Sequence, residues 1–308
     1  MDKTKVIVVA GPTASGKTTL AVEIAKAVGG EVISADSMQV YKGMEIASAA
    51  PTEQEMAGIE HHMVQFIERD VPFSAADFCN IARGIICDIV SRGKVPVIAG
   101  GTGLFIDSLI DNVNFIETKN DPDLRERLMA QSKDELHAEL EKADPEAAQK
   151  IHKNNKKRVA RALEIYYLTG KTKSEADKEA VSRESPYDAL YFVIDYKNRE
   201  DLYGRINRRV DIMLQNGLEN EARRCLDEGG KTAAQAIGHK ELKPYFEGVL
   251  SLEEAAENIK RETRRYAKRQ ITWFKRRQNA VRLCVDDGSE NIADTAVRIS
   301  REFLNGRS

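Results

Sequence analysis

The chain has 308 residues, of which 42% are apolar and 6% aromatic, with 47 basic and 49 acidic side chains. The net charge of −2 excludes a uniformly cationic nucleic-acid binder, and no apolar run is long enough to cross a membrane. Because the N-terminus leads directly into a strand pattern, we expect no signal peptide. Four scattered cysteines without metal-binding spacing predict a cytoplasmic protein with reduced thiols.

The first hundred residues alternate between strand and helix patterns. Lys5–Ala10, Glu31–Ser34 and Val95–Ala99 are short apolar runs of strand length, and Gly16 to Val28 has helical periodicity. Ser74 begins a capping-box pattern for a second long helix. Such alternation predicts an α/β fold in which helices cover both faces of a parallel sheet.

The pattern changes between residues 117 and 185. Helical periodicity and charge dominate there, with helix starts predicted at Asp121-Pro122, Ser132 and Asp144-Pro145. Strand character returns at Leu190–Ile194, after which the chain is largely helical apart from a short strand at Val281–Val285. We therefore predict a core formed by residues 1–116 and 186–308, with a helical insertion domain at 117–185.

A phosphate-binding loop follows the first strand. GPTASGKT, Gly11 to Thr18, matches G-x-x-x-x-G-K-[ST] and lies between a strand and a helix, as that motif requires. Its backbone N–H groups and the helix N-terminus would bind phosphate oxygens, together with the Lys17 ammonium group. The Thr18 hydroxyl is suited to ligate Mg²⁺. The motif predicts phosphate binding but does not identify the ligand.

Other residues argue against an ordinary ATPase or GTPase. Val95–Ala99 runs into glycines instead of an acidic residue. Asp36 follows the second strand, and Thr102 follows the third. Because the carboxyl ends of parallel strands form the ligand crevice, we expect both side chains beside the phosphates.

Basic residues are concentrated in two segments. Lys150 to Arg161 contains no acid, and Lys260 to Arg282 is interrupted by Glu262 alone. We interpret both segments as candidate surfaces for contacting phosphates, because almost no acidic residues occur within them to neutralise their charge. A solvated helix face is the alternative interpretation.

Eight motifs, in order along the chain, resemble those of the tRNA dimethylallyltransferase family. They are GPTASGKT, SADSMQVY, the His61–His62 pair, GGTG, RVARALE, LYGRINRRVDIML, AIGHKE and TRRYAKRQITWF, and they extend from Gly11 to Phe274. The resemblance implies transfer of a dimethylallyl group from dimethylallyl diphosphate to the exocyclic N6 amine of the adenosine 3′-adjacent to the anticodon in tRNA. It also implies a Mg²⁺ cofactor and the tRNA anticodon stem-loop as partner; we expect a monomer.

The resemblance also implies roles for individual residues. The diphosphate would be bound by Gly11, Pro12, Thr13, Ala14, Ser15, Gly16, Lys17 and Thr18, with Thr18 also on the metal. Asp36 is similar to the family's general base, Thr102 to its motif threonine near the reacting base, and Arg205 to the arginine facing the diphosphate, with Arg209 as the neighbouring candidate. tRNA contacts are implied for Asp36, Ser37, Met38, Gln39, Arg125, Lys157, Arg158, Val159, Ala160 and Arg161.

Three positions depart from the family pattern. Phe105 and His239 stand where tyrosine is usual, and Ala50 stands where lysine is usual. Phe105 retains the ring without the hydroxyl, and Ala50 lacks the charge. We expect these departures to change local contacts and not the reaction.

Several alternatives remain open from sequence. Asp36 could merely cap the turn that follows it, and Arg205 could be a surface or ion-pairing arginine. Since adjacent histidines on a strand point in opposite directions, we expect His61 and His62 to pack or hydrogen-bond near the crevice and not to chelate a metal. Trp273, Tyr266 and Phe274 could stack on RNA or pack in the core. Competing functions are a nucleotide or small-molecule kinase and a non-catalytic RNA-binding NTPase switch.

Overall fold

A computed structural model of the chain describes residues 3–115, 121–180, 184–228, 235–288 and 291–306. The chain divides into two compact units, one formed by Met1–Ile110 with Pro186–Ser308 and the other by Asp111–Ser185. The first predicted domain boundary, between 116 and 117, falls on residues outside the described ranges. Among the described residues, every helix is either too short or too polar to span a bilayer.

The larger unit is built on a six-stranded parallel sheet with strand order β3-β2-β4-β1-β5-β6. The strands are β1 Thr4–Ala10, β2 Gly30–Ser34, β3 His61–His62, β4 Val95–Gly100, β5 Tyr187–Asp195 and β6 Val281–Cys284. Residues 6–10 of β1 are fully buried because helices cover both faces of this central strand. The predicted parallel α/β sheet is therefore confirmed.

The helices before the smaller unit lie between the first four strands and directly after β4. They are α1 Lys17–Val28, α2 Glu45–Ser48, α3 Glu53–Met56, α4 Ala75–Ser91 and α5 Gly103–Ile110. The predicted capping box begins α4: the Ser74 side chain accepts from the Asp77 N–H, and the Asp77 side chain accepts from the Ser74 N–H. These reciprocal bonds satisfy two N–H groups that the helix itself leaves unpaired.

The smaller unit is helical throughout its described residues. Its helices are α6 Pro122–Ala130, α7 Lys133–Ala143, α8 Pro145–Lys150, α9 Lys156–Thr169 and α10 Lys173–Ala180. The three predicted starts are confirmed, since Asp121, Ser132 and Asp144 each accept a backbone N–H at the first turn of α6, α7 and α8. Leucines at helical spacing, among them Leu128, Leu136, Leu140 and Leu163, form a separate core.

The C-terminal part of the larger unit is mostly helical, as predicted. Its helices are α11 Arg199–Gln215, α12 Leu218–Asp227, α13 His239–Phe246, α14 Leu252–Phe274 and α15 Ile292–Leu304. α11 and α14 pack against each other through the buried side chains of Leu202, Ile206 and Ala267. α14 also contacts α5, which places it beside the carboxyl end of β4.

Candidate active site

The phosphate loop joins β1 to α1 through a backbone that needs glycine. Gly11 and Gly16 have φ values of +155° and +94°, and Ala14 also lies in the left-handed region at +62°. A Cβ atom on Gly11 would lie only 3.1 Å from the Ile194 carbonyl oxygen of β5. The loop therefore packs closely against the end of β5, and residues 13–19 line one cavity.

The loop presents groups suited to an anion. The Ser15 hydroxyl oxygen is buried and has no hydrogen-bond partner among the described residues. Lys17 donates from Nζ to the Pro12 carbonyl oxygen at 2.8 Å. Burial lowers the pKa of Lys17 to about 8, Asp36 opposes that shift, and Arg209 adds to it. An incoming phosphate would give the buried hydroxyl a partner and favour the charged form of the lysine, so the site fits a phosphate group.

The protein's own ligands for Mg²⁺ are few. Thr18 and Asp36 both line the cavity beside the phosphate loop, and no cluster of three metal-ligating side chains occurs among the described residues. Mg²⁺ commonly keeps several waters and is bound through one or two protein groups plus substrate phosphates. The donor set therefore fits a magnesium ion that enters with a diphosphate, with the Thr18 hydroxyl as its protein ligand.

Asp36 lies directly beyond the carboxyl end of β2. One carboxylate oxygen, Oδ1, accepts from the Met38 N–H at 2.9 Å, so the turn-capping role does occur. The other oxygen, Oδ2, has no hydrogen-bond partner among the described residues, and the side chain lines the cavity. The two roles are therefore compatible, since the cap fixes the orientation of the carboxylate and leaves one oxygen for a ligand.

The GGTG motif is explained by close packing on three sides. A Cβ atom on Gly100 would lie 2.1 Å from the Ala35 carbonyl oxygen, one on Gly101 2.2 Å from Gln270 Nε2, and one on Gly103 2.2 Å from the Trp273 ring. The absence of side chains thus lets the end of β4 approach both the residue before Asp36 and helix α14.

Thr102 holds the loop that carries Asp36. Its Oγ1 accepts from the Ser37 N–H at 3.0 Å and donates to the Ser37 hydroxyl at 3.3 Å, while its own N–H donates to Ala35 O at 3.2 Å. The Tyr266 hydroxyl lies close to the same threonine side chain. The predicted proximity of Thr102 to Asp36 is present, and the contacts are those of a positioning residue.

The two candidate arginines of α11 differ in their surroundings. Arg205 is exposed and donates from Nε to the Ala14 carbonyl oxygen of the phosphate loop at 2.9 Å. Arg209 is half-buried and donates from Nη2 to Ala49 O at 3.5 Å, with no ion pair among the described residues. Burial lowers its pKa, partly opposed by Asp36 and Glu55, and Arg205 adds to the decrease. Both arginines reach the cavity, and Arg209 is the more desolvated cation.

Two cavities meet at Asp36. The first is polar, has a volume of about 400 Å³, and is lined by residues 13–19 of the phosphate loop together with Asp36, Gln39, Arg205, Arg209 and Gln270. The second has a volume of about 280 Å³, and its lining is largely apolar: Met38, Ile206, Val210, Met213, Leu218, Ile237, Ile259 and Tyr266. Thr13, Asp36 and Arg209 border both. The carboxylate therefore lies between an anion site and an apolar site.

The segment after Asp36 is fixed mainly by contacts within the protein. Gln39 accepts from the Ser34 hydroxyl at 2.8 Å and donates to the Ala49 carbonyl oxygen at 3.1 Å. Met38 packs against the buried side chains of Val40 and Tyr41 while also lining the apolar cavity. The predicted tRNA contacts at Ser37, Met38 and Gln39 stay predictions, since each side chain also has a structural role.

The departures at Phe105 and His239 have local explanations. Phe105 is buried and stacks on Phe78 with ring centroids 4.7 Å apart. His239 is fully buried with Nε2 3.0 Å from the Glu221 carboxylate, which also accepts from the Ile46 and Ala47 N–H groups. Glu221 and His239 together therefore hold the α2 segment that leads into the cavity wall. Ala50, which follows the cavity-lining Ala49, donates its N–H to the Glu45 carbonyl oxygen.

Two further residues lie beside Asp36 and the phosphate loop: Gln270, which was not identified from sequence, and Tyr266, for which stacking on RNA and packing in the core were left open. Gln270 is 5% exposed and bonds the phosphate loop, and Tyr266 faces Asp36, Thr102 and Gln270. Burial, reinforced by the Asp36 charge, raises the pKa of Tyr266 well above its usual range. TRRYAKRQITWF contained both residues, and their spacing of four on α14 was the available signal. Trp273 and Phe274 have structural contacts: Trp273 donates to Asp107 Oδ2 at 2.6 Å, and Phe274 is 1% exposed.

The histidine pair lies away from the crevice, contrary to our expectation. His61 Nδ1 is 2.8 Å from the Ile59 carbonyl oxygen. His62 Nε2 is 2.8 Å from the buried carboxylate of Glu31, which also pairs with Arg92 and Lys94. Glu31 follows the first residue of β2, so this cluster lies toward the amino ends of the strands, opposite the phosphate loop. The predicted hydrogen bonding is present, and only the predicted location is wrong.

The basic segment of the smaller unit has counter-charges, so the stated absence of acids around it is wrong. Lys150 pairs with Glu146, Lys153 with Asp134, and Arg161 with Glu164. Glu164 is 7% exposed and also pairs with Arg125 at 2.7 Å. Glu146 and Glu164 lie about one turn from their partners on the same helix, whereas Asp134 comes from α7.

Two of the predicted tRNA-contacting residues in the smaller unit point inward. The side chains of Val159 and Ala160 are fully buried in its leucine-rich core. Lys157 and Arg158 are exposed and form no ion pair among the described residues. Lys153 precedes α9, whereas Lys157 and Arg161 lie four residues apart on that helix. Lys157 and Arg158 are thus the free cations of this surface.

The C-terminal basic segment is also partly paired. Lys260 pairs with Asp211 at 2.8 Å, Arg265 with Glu262 at 2.6 Å, and Arg277 with Asp107 at 3.6 Å. In this segment, the exposed cations that form no ion pair with another described residue are Lys268, Arg269, Lys275, Arg276 and Arg282, and Arg282 donates to the Phe274 and Arg277 carbonyl oxygens. Lys268 and Arg269 lie near the C-terminal end of α14, and Lys275 and Arg276 follow it directly.

The fold and the site define an α/β protein of the P-loop class, with a carboxylate between a polar cavity and a more apolar cavity. Known families agree with these features: the family model for IPP transferase matches residues 39–277, and that for isopentenyl transferase matches residues 4–73. The chain belongs to the IPP transferase family.

Proteins that are similar to this chain in sequence or structure have names that agree with this family. The tRNA dimethylallyltransferase of Bacillus subtilis is 47% identical over 283 residues, covering 89% of this chain and 90% of that protein. The crystal structure of a Bacillus halodurans tRNA isopentenylpyrophosphate transferase matches with a TM-score of 0.73 and 41% identity over 99% of this chain and 97% of that one. A eukaryotic dimethylallyltransferase acting on tRNA matches with a TM-score of 0.87 and 33% identity over 99% and 80%.

Proposed function

We propose that this protein transfers the dimethylallyl group of dimethylallyl diphosphate to the exocyclic N6 amine of the adenosine 3′-adjacent to the anticodon in tRNA. The observation that carries the proposal is the position of Asp36, which borders both the polar cavity of the phosphate loop and the apolar cavity beside it. A reaction between an anionic donor and a flat, weakly basic acceptor needs a base between two such sites. Family membership supplies the identities of donor and acceptor.

The diphosphate would occupy the polar cavity. The loop N–H groups, the Ser15 hydroxyl and the Lys17 ammonium group face it, and Arg205 and Arg209 reach it from α11. Negative charge develops on the bridging oxygen when the allylic carbon–oxygen bond breaks, and fixed donors in a desolvated site stabilise such charge. Bound Mg²⁺, with the Thr18 hydroxyl as its protein ligand, would neutralise part of the charge on the leaving group.

Asp36 would act on the acceptor. The lone pair of an adenine amine is delocalised into the ring, so the amine is a weak nucleophile. In the transfer, a nitrogen–carbon bond forms at the allylic carbon while the carbon–oxygen bond breaks, and the amine loses a proton. Asp36 Oδ2 is placed to accept that proton, and general base catalysis of this kind contributes about 10²–10⁴-fold. The products are N6-dimethylallyladenosine and diphosphate.

The acceptor base must leave its stack to reach Asp36, as in other enzymes that modify bases. Exposed, unpaired cations would hold the surrounding RNA through its phosphates. In the larger unit they include Lys268, Arg269, Lys275 and Arg276, and in the smaller unit Lys157 and Arg158. Phosphate contacts fix the register of RNA without reading its sequence, so recognition of the loop bases would come from the site itself.

We further propose a cytoplasmic monomer. All four cysteines are free thiols, which supports a reducing compartment. A tRNA that engages both basic surfaces would use much of the protein surface, which supports a single subunit as the active form.

Labelled substrates test the proposed function. The protein would be incubated with Mg²⁺ and unmodified tRNA, with either ¹⁴C-dimethylallyl diphosphate or γ-³²P-ATP. We expect ¹⁴C in tRNA, recovered as N6-dimethylallyladenosine after digestion, and no incorporation when guanosine replaces the target adenosine. Phosphate transfer from ATP without prenyl transfer would instead indicate a kinase and overturn the proposal.

A further inference from the structure

Gln270 joins two loops of the site through one amide group. Its Oε1 accepts from the Thr13 N–H of the phosphate loop at 2.8 Å, and its Nε2 donates to the Gly101 carbonyl oxygen at 2.9 Å. The side chain is 5% exposed and reaches these loops from the middle of α14. Its two partners belong to segments that follow β1 and β4, which neighbour each other in the sheet.

The chemistry of the two partners specifies an amide. A backbone N–H can only donate and a carbonyl oxygen can only accept, so one side chain must offer both an acceptor and a donor at the same end. A carboxylate offers two acceptors and an ammonium group only donors. The contact also requires glycine at position 101, since a Cβ atom there would lie 2.2 Å from Gln270 Nε2.

The bond to Gly101 acts one residue from Thr102, whose hydroxyl holds Ser37 at 3.0 Å and thereby the turn of Asp36. The bond to Thr13 acts within the loop that would bind the diphosphate. The Gln270 side chain therefore helps to position both the phosphate loop, which lines the polar cavity, and the Asp36 carboxylate. Misplacement of reacting groups by about 1 Å can cost roughly 10²-fold in rate.

We propose that Gln270 is a positioning residue that sets the spacing between the bound diphosphate and the Asp36 carboxylate. This inference rests on the proposed function for its catalytic readout. The Tyr266 hydroxyl lies close to the side chains of Gln270 and Thr102. The other titratable groups facing this cavity are Lys17, Asp36, Glu55, Arg205, Arg208 and Arg209.

The variant Gln270→Glu tests the proposal because it keeps the shape of the side chain. In its ionised form the carboxylate repels the Gly101 carbonyl oxygen, whereas in its protonated form the carboxylic acid again offers one donor and one acceptor. At pH 8 we expect kcat to fall about 10- to 100-fold, with the Kd for tRNA within twofold of the wild-type value. As the pH is lowered toward 6, the ratio of variant to wild-type kcat should rise at least several-fold.

The control is Gln215→Glu, the same substitution at an exposed position of α11, for which we expect kcat within twofold at every pH. A variant-to-wild-type ratio that does not change with pH, or a kcat within twofold of wild type at pH 8, would overturn the proposal. Gln270→Leu removes both bonds, so its kcat deficit should persist at every pH. If the leucine variant does not fold, the glutamate variant still decides the question.

Binding of inorganic diphosphate, measured by calorimetry, separates this inference from the proposed function. Gln270→Glu should weaken that binding about tenfold at pH 8 and less at pH 6, whichever acceptor the enzyme uses. If the wild-type protein binds diphosphate but does not prenylate tRNA, the proposed function fails while the loop connection is still tested. Unchanged diphosphate binding in the variant would overturn the positioning role itself.

Discussion

The hydroxyl of Thr102 accepts a hydrogen bond from the backbone N–H of Ser37 at 3.0 Å, which ties the end of β4 to the residue that follows Asp36. A second hydrogen bond runs from the Thr102 N–H to the Ala35 carbonyl oxygen at 3.2 Å. Asp36 is therefore bracketed by two contacts with one threonine. The close approach needs Gly100, where a Cβ atom would lie 2.1 Å from the Ala35 carbonyl oxygen.

This relationship predicts different effects for two substitutions of Thr102. Thr102→Ser keeps the hydroxyl, and we expect kcat within about threefold of wild type. Thr102→Val has nearly the same volume but leaves the Ser37 N–H without its partner, so kcat should fall about 10- to 100-fold through displacement of Asp36. Steady-state prenyl transfer at saturating substrates measures both. Equal activity of the two variants would show that the hydroxyl is dispensable.

For Asp36 we predict loss of catalysis without loss of the turn. Asp36→Asn retains an oxygen that can accept from the Met38 N–H, now 2.9 Å from Oδ1, but it no longer accepts a proton. The single-turnover rate should fall about 10²–10⁴-fold, while the Kd for tRNA stays within twofold. Asp70→Asn, at an exposed position, is the matched control. A near-normal rate in Asp36→Asn would remove this residue from the role of general base.

Donor binding should depend on the protonation of Lys17. Burial lowers the pKa of this lysine to about 8 in the free protein, and a bound diphosphate would favour the charged form. Below pH 8 the charge is already present, whereas above it binding requires uptake of a proton. The Kd for dimethylallyl diphosphate should therefore rise up to tenfold per pH unit above pH 8, where phosphate groups, with a second pKa near about 6, have already ionised.

Calorimetry from pH 6.5 to 9.5 without tRNA measures this dependence and the accompanying proton uptake. Lys17→Arg carries a charge that does not titrate in this range. The affinity of this variant for dimethylallyl diphosphate should therefore be independent of pH, whatever its absolute value. A flat profile for the wild-type protein would contradict the predicted titration of Lys17.

The exposed cations of α9 should contribute to tRNA affinity through electrostatics. Charge reversal at Lys157, which has no ion pair among the described residues, should weaken tRNA binding and reduce the slope of log K against log salt by about 1 per lost phosphate contact. Charge reversal at Arg161 also disrupts its pair with the buried Glu164, so its effect should include lower thermal stability.

Filter binding or fluorescence anisotropy across a salt series measures the electrostatic contribution to tRNA affinity. Lys142→Glu, an exposed reversal in α7 outside the predicted contact residues, controls for the change in net charge. Equal salt slopes for wild type and Lys157→Glu would exclude a phosphate contact at this lysine.

The sequence alone identified features that depend on local chemistry. The phosphate loop is a contiguous motif, and the helix starts at Ser74, Asp121 and Ser132 are set by side chains that bond a backbone N–H three residues later. Asp36 and Thr102 were predicted at one edge because parallel strands end on the same side of a sheet. Each of these inferences uses interactions within a few residues or a rule of strand topology.

Tertiary structure alone decided which distant groups meet. Gln270 is 257 residues from Thr13 in the chain, and their bond depends on how α14 packs beside the sheet. The ion-pair partner of Lys153, Asp134, likewise comes from a distant helix, so this pairing could not be predicted from sequence. Hydrogen bonds and ion pairs form over about 3 Å in space regardless of separation along the chain. The Asp36 carboxylate and the phosphate loop could therefore be predicted from the sequence. The Gln270 amide that connects their segments could be identified only in the folded protein.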